Sequence, residues 1–326
     1  MNADFQSELS AALTGFLTYK RALGRSFETE EYALRLFDRY LSQHAIADLD
    51  AITPALLDGF LASRQRTAPR SYHHLLGVLR RLFNWLVNQG HLVRSPLCDR
   101  PRRQTSQRVP FLFDKALARK LLEVASSLPD NPYALLRGPT YHMMFALLYG
   151  LGLRVGEVSR LCRKDVDLQR NLLIIRQTKF RKSRLVPFGP CMAKSLGHYI
   201  ECREEKFGDF HPDDPFFSFR KCPINRHSVS RTLQSILPLI GVDVSEGVVP
   251  PRPHSLRHSF AVGTLLRWYR EQKDPAQYLL HLSTFLGHVS PESTAVYLTI
   301  TEELLTEAGK RFARYSAPII IKEVGS

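Results

Sequence analysis

Apolar residues recur at helical spacing along most of the chain, and only one stretch, residues 172–188, reads as a β-hairpin, two strand-like runs around a basic turn. That pattern confines the fold to one that is mainly α with a small antiparallel β-hairpin or sheet. The N-terminal part shows it most plainly, over residues 5–23, 27–44, 54–65 and 69–89. In the last of these, Tyr72, Leu75, Leu76, Leu79, Leu82, Phe83 and Leu86 form one stripe. Arg70, His73, Arg80, Arg81 and Asn84 fall largely off it, where they can face a DNA groove or phosphates. Thr53-Pro54 reads as a cap followed by a first-turn proline, starting the third helix. Taken alone, a bundle of this kind equally suits a protein-interaction module.

Residues 99–108 (DRPRRQTSQR) have no apolar periodicity and read as a charged linker. They divide a bundle over residues 1–98 from a larger unit over 109–326. A chain of 326 residues that is 44% hydrophobic is long enough for two domains with real cores. The charge is unevenly placed. Residues 1–63 carry 5 Lys/Arg against 9 Asp/Glu, whereas residues 64–108 carry 10 arginines against one acid, Asp99. This stripe, which includes Arg100, Arg102 and Arg103, suits a polyanion whose counterions it would release. A merely solubilising surface would more commonly be scattered lysines. The five cysteines (98, 162, 191, 202 and 222) form no framework and suggest a reducing compartment. No basic segment followed by an apolar one opens the chain, and no run approaches the ~18 apolar residues of a membrane span. The expectation is a soluble intracellular protein.

From residue 109 on, helices are expected over 117–128, 141–149, after Arg154, and over 190–205, 226–240, 255–270 and 292–298. The hairpin carries Lys179 at its tip. The tail offers a helix over 302–314 and an apolar strand at Ile319-Ile320-Ile321, which packs on its own sheet or docks on a neighbour.

Onto this frame falls a set of polar residues. Arg154 and Glu157 occur in Gly-Leu-Arg-Val-Gly-Glu, His254 and Arg257 in Pro-His-Ser-Leu-Arg-His, His288 in Leu-Gly-His, and Tyr297 nine positions later. Two arginines can clamp the non-bridging oxygens of one phosphodiester and stabilise the charge that grows during attack. A tyrosine in that cationic setting can attack phosphorus, and histidines can accept or donate a proton near neutral pH. Tyr297, inside the apolar run Ala295-Val296-Tyr297-Leu298, reads equally as a core side chain.

The set resembles the tyrosine recombinases, the phage-integrase family, over most of the chain. Residues 147–161 (LLYGLGLRVGEVSRL) resemble its first arginine box, with Glu157 orienting Arg154. Lys179, 25 positions on, is similar to the family's catalytic lysine in a β-turn. The family often has Gly after that lysine where this chain has Phe180, so Lys182 remains a stand-in. His254 and Arg257 look like the His-x-x-Arg box, His288 matches the Leu-Gly-His box, and Tyr297 matches the nucleophile. The resemblance implies an N-terminal SAM-like core-binding domain and a C-terminal tyrosine-recombinase catalytic domain. It further implies cutting and rejoining of duplex DNA at specific recombination sites through a 3′-phosphotyrosyl link. The enzyme would work as a homotetramer on two duplexes, cytoplasmic and nucleoid-associated, without a cofactor.

Other chemistries suit these residues less well. His254 and His258 lie four apart on one helix face, as a zinc pair can, but Ser255 follows His254 where a His-Glu-x-x-His site has Glu. His258 is therefore read as a packing residue or a support for its neighbours. No Cys-x-x-Cys pair and no phosphate-binding Gly-x-x-x-x-Gly-Lys loop occurs, so neither metal nor ATP is expected. A type IB topoisomerase and a non-catalytic DNA-binding regulator on the same fold stay as alternatives.

Overall fold

Four helices build the N-terminal unit, and each buries the apolar face its sequence spaces out: α1 Ser10–Ala22, α2 Glu28–Gln43, α3 Pro54–Ser63 and α4 Pro69–Asn88. The whole α4 stripe from Tyr72 to Leu86 is buried, against Phe16, Leu34, Phe37 and Phe60 of the other three helices. Helix α1 begins later than its periodicity suggests. The Asp38 carboxylate accepts from the Gln6 and Ser7 N–H groups (2.7 and 3.0 Å) and from Ser7 Oγ (2.6 Å). Those donors face a side chain on α2, which holds the residues before Ser10 out of the helix. Thr53 Oγ1 caps α3 through the Leu56 N–H, with Pro54 in the first turn.

The computed structural model describes residues 5–64, 69–98, 109–176, 183–219, 222–288, 290–299, 303–310 and 313, without the side chains of 69, 70 and 299. It divides into two compact units, Met1–Gln107 and Arg108–Ser326. The residues read as a linker, the hairpin tip with Lys179 and Lys182, and the apolar Ile319–Ile321 segment all lie outside the described residues. Among the described residues no helix is long and apolar enough to cross a membrane, and all five cysteines are free.

The second unit is mainly helical around α6, Arg137–Gly150, which is buried on nearly every side through Tyr141, Met143, Met144, Phe145, Leu147 and Leu148. Helices α5 (Lys115–Ser126), α8 (Pro190–Phe207) and α10 (Pro253–Arg270) pack on it. The expected hairpin is present and gains a third strand: Val166–Asp167 pairs antiparallel with Leu172–Ile175, which pairs antiparallel with Arg184–Pro187. In that register Ile175 faces Arg184. Of two further pairings, one joins remote segments, Val109–Pro110 parallel to Val248–Val249, and the other is local, Ser218–Phe219 antiparallel to Cys222–Pro223.

Three helix ends set the positions of the polar residues. The short α7 (Val155–Ser159) starts directly after α6, with Arg154 as its N-cap. Helix α10 starts at Pro253, so His254, Arg257 and His258 fall in its first two turns. Helix α11, Pro275–Leu286, is an element the apolar spacing alone does not single out. Asp274 caps it through the Ala276 N–H, and Gly287 ends it in the left-handed region (φ +67°).

Candidate active site

Helix α11 ends by presenting three successive carbonyls, and each is taken by a different arginine. Arg184 Nε donates to Phe285 O (2.9 Å), Arg257 Nη2 to Leu286 O (2.8 Å) and Arg154 Nη2 to Gly287 O (2.7 Å). The last carbonyls of a helix lack partners within it and carry the negative end of its dipole, so cations suit them. Arginines from the start of α7, the strand Arg184–Pro187 and α10 are thus gathered at one point.

Arg257 is fully buried. Its other Nη1 donates to Gly152 O (2.7 Å), and its Nε has no hydrogen-bond partner among the described residues. The Gly152 carbonyl is aimed at Arg257 by a left-handed backbone (φ +60°), and a Cβ there would come within 2.5 Å of the Phe260 ring. Only glycine fits both constraints.

Between Arg154 and Arg184 lies Glu157, whose side chain is 2% exposed. Its carboxylate accepts from Arg154 N (2.9 Å) and Nη1 (2.8 Å), and from Arg184 Nη1 (2.8 Å) and Nη2 (2.9 Å). Burial by itself would raise its pKa, but the hydrogen bonds and charge of Arg184, then of Arg154, outweigh it and hold the carboxyl at about 2. Glu157 therefore stays ionised, and the cluster keeps a net positive charge. Arg154 leaves 32% of its side chain exposed, the open edge of the group.

The phenol sits beside this cluster. Tyr297, in the 3₁₀ turn Val296–Thr299, is 4% exposed. Its Oη lies 3.0 Å from His258 Nδ1, and its ring stacks on His288 at 6.2 Å between centroids. His288 Nδ1 lies 2.7 Å from Oγ1 of the buried Thr294. The His254 ring meets His258 edge to face at 4.4 Å, and His254 is exposed to solvent. Burial pushes the Tyr297 hydroxyl up, with the Arg257 charge opposing, so the resting phenol is protonated.

All three histidines are held down to about 4 from an ordinary 6.5. Desolvation is the largest cause for each, and Arg257 adds its charge to each. Open as its surface is, His254 also faces the charges of His258 and Arg154. The unfolded chain thus binds more protons than the folded one between about pH 6.5 and 4, and stability falls as pH falls through that window. Each histidine contributes at most about 1.4 kcal/mol per pH unit there, the solvent-open His254 least. Urea midpoints at pH 7 and 4.5 test this: His258→Gln should lose less between the two than the wild type. Equal losses would mean that His258 does not titrate below its unfolded value.

The structure brings Arg154, Glu157, His254, Arg257, His288 and Tyr297 together; Lys179 lies outside the described residues. Two members of the cluster are not evident from sequence. Arg184 carries no signal beyond its place at the end of a strand. His258 sits against the phenol, 39 positions away, and spacing on α10 shows only that it shares a face with His254. Among the described residues no three His, Cys, Asp or Glu side chains gather as a metal site. In the N-terminal unit Arg80 is exposed, while Arg81 is half-buried over the Phe27 ring (5.8 Å) and 3.9 Å from Glu30. Arg70, Arg100, Arg102 and Arg103 have no described side chains.

The chain resembles known proteins in both sequence and fold. The sequence pattern of the phage integrase family matches residues 138–303. A protein of Sinorhizobium fredii carrying the name integrase/recombinase y4rB is 31% identical over 94% of this chain and 98% of its own. The tyrosine recombinase XerC of Oceanobacillus iheyensis is 30% identical over 84% and 85%. In fold, the chain is similar to a lambda integrase tetramer solved on a Holliday junction, with a TM-score of 0.63 at 18% identity over 89% of this chain and 76% of that one.

Proposed function

The chain belongs to the phage integrase family and is a tyrosine recombinase, and from that premise we propose how its own residues cut and rejoin DNA at a specific site. Arg154 and Arg257 hold the two non-bridging oxygens of the scissile phosphate, with Glu157 fixing Arg154. His254 and His288 add hydrogen bonds around the same group. Tyr297 Oη attacks phosphorus and passes its proton to a histidine of the site, His254 or His288. The bond from phosphorus to the 5′-oxygen breaks, and Lys179, or Lys182 in its stead, protonates that oxygen. A 3′-phosphotyrosyl link then holds the bond energy until a 5′-hydroxyl of the partner strand attacks it and returns the proton to the phenolate. No external energy source enters the balance.

The observation that carries this reading is the convergence of Arg154 and Arg257 at the end of α11 with the Tyr297 phenol held beside them. Arg257 has no exposed surface and Tyr297 almost none. DNA binding must therefore open the site and draw the phenol from His258 toward the phosphate. The N-terminal bundle, with Arg70, Arg80 and Arg81, and the arginines at 100, 102 and 103 would bind the duplex backbone. Four copies would act on two duplexes in the cytoplasm, at the nucleoid.

A suicide-substrate assay tests the reading. The full chain is incubated with nicked duplexes taken from DNA flanking its gene, and denaturation-resistant adducts are mapped. An adduct on Tyr297 is the expected result. Tight binding to a duplex that is cut by some other residue, or bound and never cut, would overturn it.

A further inference from the structure

We infer that Arg184 is a positioning residue of the reaction: its bidentate grip on Glu157 and its bond to the end of α11 leave Arg154 free to face the phosphate. The inference rests on the function proposed above. Glu157 is a buried carboxylate, and a buried carboxylate facing one arginine would neutralise it. Here it faces two. Arg184 meets it with a parallel pair of hydrogen bonds (2.8 and 2.9 Å), the geometry in which an arginine holds a carboxylate most firmly. Arg154 uses one Nη on the same carboxylate and the other on Gly287 O, and keeps an open edge. One carboxylate between two guanidiniums leaves one positive charge over, and the exposed partner is the one that can offer it to an anion. The Arg184 side chain is 11% exposed against 32% for Arg154, so Arg184 is the inner member.

The site is also built tightly around this side chain. A Cβ on Gly287 would come within 2.8 Å of Arg184 Nη1, and Arg184 Nε is committed to Phe285 O. Arg184 thereby ties the strand that leaves the hairpin tip to the arginine box and to the helix end that leads into His288. A change in any one of the three is felt by the other two.

The test measures adduct formation by the full chain at saturating duplex, together with the duplex Kd, at a temperature where every variant is folded by thermal melting. Arg184→Gln should slow adduct formation on the order of 10–100-fold, the range for groups that orient a reacting partner, with little change in Kd. Arg184→Lys, which keeps the charge and one contact, should recover part of the rate. In a Glu157→Gln background the same Arg184→Gln change should cost only a fewfold, because no buried charge is left to balance. An unchanged rate in Arg184→Gln, a loss carried wholly by Kd, or an equal loss in both backgrounds would overturn the inference. A wild type that forms no adduct on a duplex it binds would instead sink the functional reading, and this inference with it.

Discussion

Replacing Tyr297 by Phe is expected to abolish the covalent DNA adduct entirely, while affinity for the same duplex stays within about twofold, because affinity rests on backbone contacts. The change removes one oxygen and leaves the ring on His288, so the fold loses little. The cost is the Oη contact with His258 Nδ1, worth about 1 kcal/mol. The effect on chemistry is of another order, since the oxygen that should carry the phosphoryl group is gone and no neighbour can replace it. His258 and His288 are the nearest candidates, and a histidine link to phosphorus is labile to acid where a phosphotyrosine is not. Adducts resolved after acid treatment settle the matter: a stable adduct in Tyr297→Phe would show that the nucleophile is elsewhere.

The surroundings of that phenol explain why it is harmless in the resting protein. Burial outweighs the charges of Arg257 and Arg154, which pull the other way, and keeps it protonated, while Nη groups of both arginines are engaged by carbonyls of Gly152, Leu286 and Gly287. In the proposed reaction a phosphate arriving at the open edge of Arg154 would change this balance, because it would offer the guanidiniums a stronger acceptor than a peptide carbonyl. The same interactions thus serve two states. Without DNA they cap a helix, and in the proposed complex they are what the phosphate would compete for.

Much of this architecture is legible in the chain itself. The α4 stripe from Tyr72 to Leu86 stands out because seven apolar residues at helical spacing leave one solution, and the hairpin because two short apolar runs within 172–188 flank a polar, basic turn. Arg154 and Glu157 are legible as a pair because three residues at a helix start bring side chain and backbone together. Helix α11 is hidden although Asp274-Pro275 is a start signal, since its apolar residues Leu279, Leu280, Leu282, Phe285 and Leu286 crowd too closely to show a face. Val109–Pro110 and Val248–Val249 pair over two residues each, too few for any period to appear. Arg184 is the most instructive case. Its role depends on where the end of α11 lies, 101 positions further on, and no local pattern encodes that meeting.

Arg257→Lys is expected to cut adduct formation by about 10³-fold with affinity for duplex DNA nearly unchanged. The substitution keeps the charge, so any large loss must come from shape. Arg257 reaches Gly152 O and Leu286 O from opposite ends of one rigid plane, at 2.7 and 2.8 Å, and still carries an Nε–H without a partner among the described residues. An ammonium is a point with three donors on a flexible stem, and it cannot span both carbonyls and also face a phosphate. One carbonyl would be left buried without a partner, lowering stability by about 1–3 kcal/mol, which a urea midpoint would read. The two measurements separate the roles of the side chain. A loss of stability with adduct formation intact would make Arg257 a strut between the α6–α7 connection, α10 and α11, and the phosphate would then be held by Arg154 alone. Loss of both is the outcome the geometry favours, because the plane that joins these three segments is the plane that would meet the phosphate.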